Sequence, residues 1–104
     1  MADDAITIEH QESGNKGRYV ARIADSEQEA ELTWHARGGH ERGEGVRVAD
    51  HTFTPPELRG RGIAGELVDA LVADARQHDF RIVPQCPYVA DKFAENPEWS
   101  DLKA

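Results

Sequence analysis

One cysteine, Cys86, is too few for an internal disulfide, so a reducing, cytoplasmic setting is the economical expectation. No apolar run approaches the ~20 residues that a bilayer span needs, and no membrane association is expected. The opening residues Met1-Ala2-Asp3-Asp4 lack the basic and apolar regions of a secretory leader. Basic residues are outnumbered 12 to 20 by acidic ones, and the net charge of −8 repels polyanions at long range. Nucleic acid is therefore not expected as the main partner, whereas an anionic small molecule held by local cations is compatible with that charge. His10, His35, His40 and His78 show no ligand spacing, so no metal is expected. Repeats, linkers and low-complexity segments are missing too. A chain of 104 residues then reads as one domain over 1–104 with a single modest core, expected as a monomer or weak dimer.

What is present alternates. Residues 6–10 pattern as a half-buried strand, residues 13–17 as a turn, and residues 18–23 as a second strand with Tyr19, Ala21 and Ile23 on one face. A turn at Asp25-Ser26-Glu27 leads to a third strand over 29–36, whose apolar set 30, 32, 34 and 36 places Trp34 in the core. Residues 37–45 form a polar loop with four glycines. A fourth strand over 46–53 ends at Pro55-Pro56, which cannot continue a ladder. Apolar residues at 63, 64, 67, 68, 71, 72 and 75 then recur with helical spacing and predict a helix over 63–77. Residues 80–83 make a fifth strand stopped by Pro84, and 86–96 a second helix with Pro87 in its first turn and Val89 and Phe93 toward the sheet. In the tail that follows, Trp99 and Leu102 are expected to fold back. Strand, helix and strand between 46 and 83 form a βαβ unit, so the last two strands should be parallel and joined right-handedly.

The chain is organised around the stretch from His51 to Gly65. Gly60, Gly62 and Gly65 permit positive φ and close approach of another molecule, and they stand at the start of the long helix. Unpaired amides at a helix N-terminus, with the positive end of its dipole, form an arrangement that holds phosphate or pyrophosphate. Arg59 and Arg61 add cations to the same mouth. A P-loop is excluded because Glu66 and Leu67 occupy the positions of its lysine and hydroxyl. Gly60-Arg61-Gly62-Ile63-Ala64-Gly65 satisfies G-x-G-x-x-G, but the next strand finishes Ile82-Val83-Pro84-Gln85 without an acidic residue. A dinucleotide site is the second reading.

Thr54-x-Pro56-x-x-Arg59-Gly60-Arg61-Gly62-Ile63-Ala64 closely resembles motif A of the GNAT (GCN5-related) N-acetyltransferases, whose core is Q/R-x-x-G-x-G/A. His51-Thr52, Ile82-Val83-Pro84-Gln85-Cys86-Pro87-Tyr88-Val89 and Asn96-Pro97-Glu98-Trp99 are similar to the short members of that family, so the resemblance spans 46–102. It implies an α/β (α+β) fold with a mainly antiparallel sheet splayed between its fourth and fifth strands. It also implies acetyl-CoA as cosubstrate and transfer of acetyl to an unidentified amine. The residues it marks for the cofactor are Phe53, Thr54, Arg59, Gly60, Arg61, Gly62, Ile63, Ala64 and Tyr88, with the pyrophosphate on the amides of 61–64. Cys86 and His51 are the catalytic candidates. Both lie at the carboxyl ends of the strands flanking the helix, and they are expected to face each other across the acetyl end. As N-cap of the second helix Cys86 would have a lowered thiol pKa, with His51 as base for the thiol or for the amine. A non-catalytic acyl-CoA-binding or protein-interaction module is the rival class.

Overall fold

The computed structural model describes residues 6–24, 26–37 and 45–104. The opening residues, the turn at Asp25 and most of the 37–45 loop, His40 included, lie outside the described residues. Four strands follow in order, β1 (Ile6–Ser13), β2 (Lys16–Ile23), β3 (Glu29–Arg37) and β4 (Val46–Phe53), each antiparallel to the one before. After them come α1 (Ile63–His78), β5 (Arg81–Pro84) and α2 (Pro87–Glu95). The sheet order is β1-β2-β3-β4-β5, with β5 parallel to β4, so the βαβ unit is present. β1 runs on to Ser13 because Gln11, Glu12 and Ser13 pair with Arg18, Gly17 and Lys16 across a loop of only Gly14-Asn15. Two short 3₁₀ turns, Pro56–Leu58 and Pro97–Leu102, were not foreseen; each begins with the proline that ends the preceding element. No helix of the described residues is long and apolar enough to cross a membrane.

The core lies between one sheet face and α1. Tyr19, Ala21, Ile23, Ala30, Leu32, Trp34 and Ala49 meet Ile63, Leu67, Val68, Leu71, Val72 and Ala75 of the helix. Each large aliphatic side chain removed from water there contributes about 1.5–3 kcal/mol. Leu102 is buried, and Trp99 packs edge-on to Phe93 at 5.3 Å, so the tail does fold back.

At one side of this core a polar group is closed in. Trp34 Nε1–H donates to His10 Nε2 at 3.1 Å, which leaves that nitrogen without a proton and puts the neutral ring's proton on Nδ1, 3.4 Å from Asp74. Burial lowers the His10 pKa, in keeping with that neutral form. The Tyr19 hydroxyl donates to Asp74 at 2.6 Å, and the Arg47 guanidinium lies 4.0 Å from the Trp34 and Phe80 rings alike. The group ties α1 to the first four strands.

Two features shape the end of the sheet beside the starts of α1 and α2. The β4–β5 ladder runs only from Val46↔Arg81 to Ala49↔Pro84, and Pro84 has no N–H to extend it. Cys86 N–H closes back onto Ala49 O at 2.9 Å, beyond which β4 continues to Phe53 alone on that side. In the β3–β4 register a bulge falls between Thr33 and Trp34, so Asp50 is the extra residue and β4 bends there. The strands part at Ala49, as the expected splay requires.

Gly17 sits opposite Trp34, and a Cβ on it would come within 2.7 Å of both the indole Cζ2 and the Gln11 carbonyl oxygen. Neither neighbour is a flexible chain end. Gly17→Ala is expected to cost about 1–3 kcal/mol in urea unfolding. A variant as stable as the parent would show that the sheet can yield at this point.

Candidate active site

The parted end of β4, the start of α1 and the start of α2 enclose a cleft of about 400 Å³. Its α1 wall is built by the backbone. Gly60 (φ 84°) and Gly62 (φ 75°) are both left-handed, and a Cβ on either would touch nothing within 4 Å, so conformation and not space demands glycine there. Gly62 is the N-cap, carries no side-chain cap, and its carbonyl accepts the first helical bond from Glu66 N–H. The amides of Ile63, Ala64 and Gly65 precede that first bond and have no helical partner. Ile63 and Ala64 line the cleft with Gly60 and Gly62.

Arg59 lines the cleft as well, but its Nε–H donates to Thr54 O at 3.0 Å, which closes the turn between β4 and α1. Phe53, 46% exposed, is the only large hydrophobic side chain left open among the described residues, and it faces the cleft with Thr54. Tyr88 forms the α2 wall, and its hydroxyl would lie 3.6 Å from a Cβ on Gly65, so a small residue there lets the ring approach α1. Of the residues marked for the cofactor, all but Arg61 line the cleft. Arg61 is exposed.

Thr52 and Leu58 complete the lining and were missed from the sequence. Leu58 belongs to the unforeseen 3₁₀ turn. Thr52 reaches this side of β4, opposite Leu32, only through the bulge at Asp50, which no residue type signals.

Cys86 is the N-cap of α2, as its position before Pro87 suggested. Its expected partner is corrected, however. Cys86 Sγ meets Thr52 Oγ1 at 3.5 Å, whereas His51 is exposed on the alternate pleat, and among the described residues nothing bonds its ring. Neither Cys86 nor His51 lines the cleft; Thr52 stands between it and the thiol. Burial pushes the Cys86 thiol pKa up, but the Thr52 hydroxyl and the amides at the start of α2 outweigh it, and the net shift is downward. Among the described residues no cluster of histidine, cysteine and carboxylate is placed to hold a metal ion.

The sheet is mixed, and its parallel strands β4 and β5 part beside the glycine-capped start of α1, an arrangement of the α+β class. A family model described as GCN5-related N-acetyl-transferase matches residues 18–102, and the chain belongs to that family. The membership supports an acyltransferase-type activity and extends the resemblance through β2 and β3.

The lowered thiol pKa is measurable. The iodoacetamide rate of Cys86 should rise with a midpoint below the ~8.5 of a free thiol, and Thr52→Val should move that midpoint upward. A midpoint at or above the free value would make the residue an ordinary buried cysteine.

Proposed function

We propose that the chain binds acetyl-CoA in the cleft between β4 and α2 and transfers the acetyl group to an amine. The observation that carries this reading is the glycine-capped start of α1, whose uncapped amides open into a cleft otherwise lined by Phe53, Thr54 and Tyr88. The pyrophosphate would lie on the amides of 61–64, where hydrogen bonds and the helix dipole act together. Phe53 offers an apolar platform to a planar or aliphatic part of the cofactor. The free edge of β4 beyond Ala49 presents backbone N–H and C=O groups to an extended ligand, as a sheet edge does to an added strand. In this reading the acetyl end lies near Thr52 and Cys86, at the depth where the strands part. Cys86 is the nucleophile or the neighbour of the thioester there, and His51 reaches the same level only from the exposed side of β4.

Calorimetric titration with CoA tests the site. Gly62→Asp keeps a residue type tolerant of positive φ but sets a carboxylate in competition for the amides, and binding should weaken by about 1.5–3 kcal/mol, the scale of a lost hydrogen bond to a charged group. Gly62→Asn, of the same shape without the charge, should lose far less. Equal affinity for Gly62→Asp and parent would overturn the site.

A further inference from the structure

A second cleft, of about 520 Å³, lies on the sheet face turned away from α1. Tyr19, Leu32 and Trp34 face the helix, so by alternation Arg18, Thr33 and His35 point the other way and line this cleft with Lys16 and Asp50. Within it His35 Nδ1 lies 2.6 Å from Asp50 Oδ2, and the Thr33 hydroxyl donates to Asp50 Oδ1. An ionised carboxylate only accepts, so Nδ1 donates to it, and in the neutral form of the ring the lone pair is on Nε2. Burial works to raise the Asp50 pKa, but the bonds from Thr33 and His35 outweigh it and hold the group below the ordinary carboxylate range. A carboxylate that fixes the tautomer and orientation of an imidazole is how a general base is prepared.

The location adds to the chemistry. Asp50 is the bulge residue, next in sequence to Ala49, whose carbonyl takes the Cys86 amide at the point where β4 and β5 part. The pair therefore sits behind the inner end of the first cleft, on the opposite face. Lys16 stands across from His35 in the β2–β3 register and has no ion-pair partner among the described residues, while Arg18 is engaged by Gln11 and Glu31. Directly opposed side chains have Cβ atoms about 4.5–5.5 Å apart, so a cation and a base–carboxylate pair are offered together to one small molecule.

We propose that this far-face cleft is the acceptor subsite, for a small primary amine that carries a carboxylate or phosphate. In it His35 is the base, Asp50 is its positioning residue and Lys16 is the counter-ion of the acidic group. The proposal rests on the acetyl-transfer reading above. His35 Nε2 takes one proton from the ammonium, and the freed nitrogen lone pair forms the C–N bond to the acetyl carbonyl carbon. The C–S bond then breaks, and the departing thiolate takes the second N–H proton, which leaves the N-acetyl amine and CoA. His35 returns its proton to solvent.

The test uses the full chain, ¹⁵N-labelled and saturated with CoA, titrated with glycine, phosphoethanolamine and ethylamine. Amide shifts should concentrate at 16–18, 33–35 and 50, with one of the two acidic amines saturating at about tenfold lower concentration than ethylamine. Lys16→Ala should erase that preference, and the order of glycine and phosphoethanolamine identifies the acidic group. With the better amine, His35→Gln should lower kcat about a hundredfold or more with KM and CoA affinity unchanged. Asp50→Asn should follow it, and Asp50→Glu should recover part of the loss. Shifts elsewhere, no shifts with any amine, or parent kcat in His35→Gln would overturn the proposal. Failure of CoA itself to bind would overturn the cofactor reading instead.

Discussion

A parallel pair of strands is held together only while both chains supply amide donors, and at Pro84 β5 stops supplying one. From that point β4 runs on with an open edge, bent at Asp50 by the bulge, while the chain beyond Pro84 turns through Cys86 into α2. The gap is kept open from both sides. Trp34, Leu32 and Ala49 fix β3 and β4 against α1, and Val89 and Phe93 bury α2 against the same core. Were β5 to pair with residues 50–53, the cleft would close and the glycine turn before α1 would face a wall of side chains. The site is thus a consequence of a missing ladder, and its walls are mainly backbone.

That construction would let a chain of net charge −8 hold the anionic cofactor proposed for it. Long-range repulsion acts through water and is screened beyond about 10 Å at ordinary salt, whereas helix amides act at contact and in partly dry surroundings. Arg59 lines the same cleft and braces the turn through a single bond, Nε–H to Thr54 O, so its charge stands beside the backbone donors. The remaining charge is arranged elsewhere. On the far face Arg18–Glu31 and the Arg22 bonds to Glu9 and Glu29 form a lattice over Val20, which is fully buried although it lies outside the main core. Exposed pairs of this kind contribute about 0–1 kcal/mol each, so their larger effect is to cover apolar surface with their stems.

Much of this was legible in the sequence because period and punctuation agreed. Alternation at 30, 32, 34 and 36 located β3 and its buried tryptophan, helical spacing from Ile63 located α1, and Pro84 and Pro87 bounded β5 and α2. Gly60 and Gly62 gave away the turn, since both are used at positive φ. What stayed hidden depends on register. The bulge at Asp50 is not signalled by any residue type, yet it decides which side chains share a face, and so Thr52 instead of His51 meets Cys86. The His35–Asp50 pair was hidden for the same reason, because its members come together only once the strands are paired. Arg47 between two rings, with Asp74 nearby, likewise joins positions that no local pattern links.

The central claim is that the amides opened by Gly62 receive the cofactor's pyrophosphate in the cleft where β4 and β5 part. A crystal structure of the chain with CoA bound tests it most directly. Phosphate oxygens are predicted within about 3 Å of the Ile63 and Ala64 nitrogens, with the pantetheine arm along β4 toward Thr52. CoA lying outside this cleft, or with its phosphates turned away from the start of α1, would contradict the account.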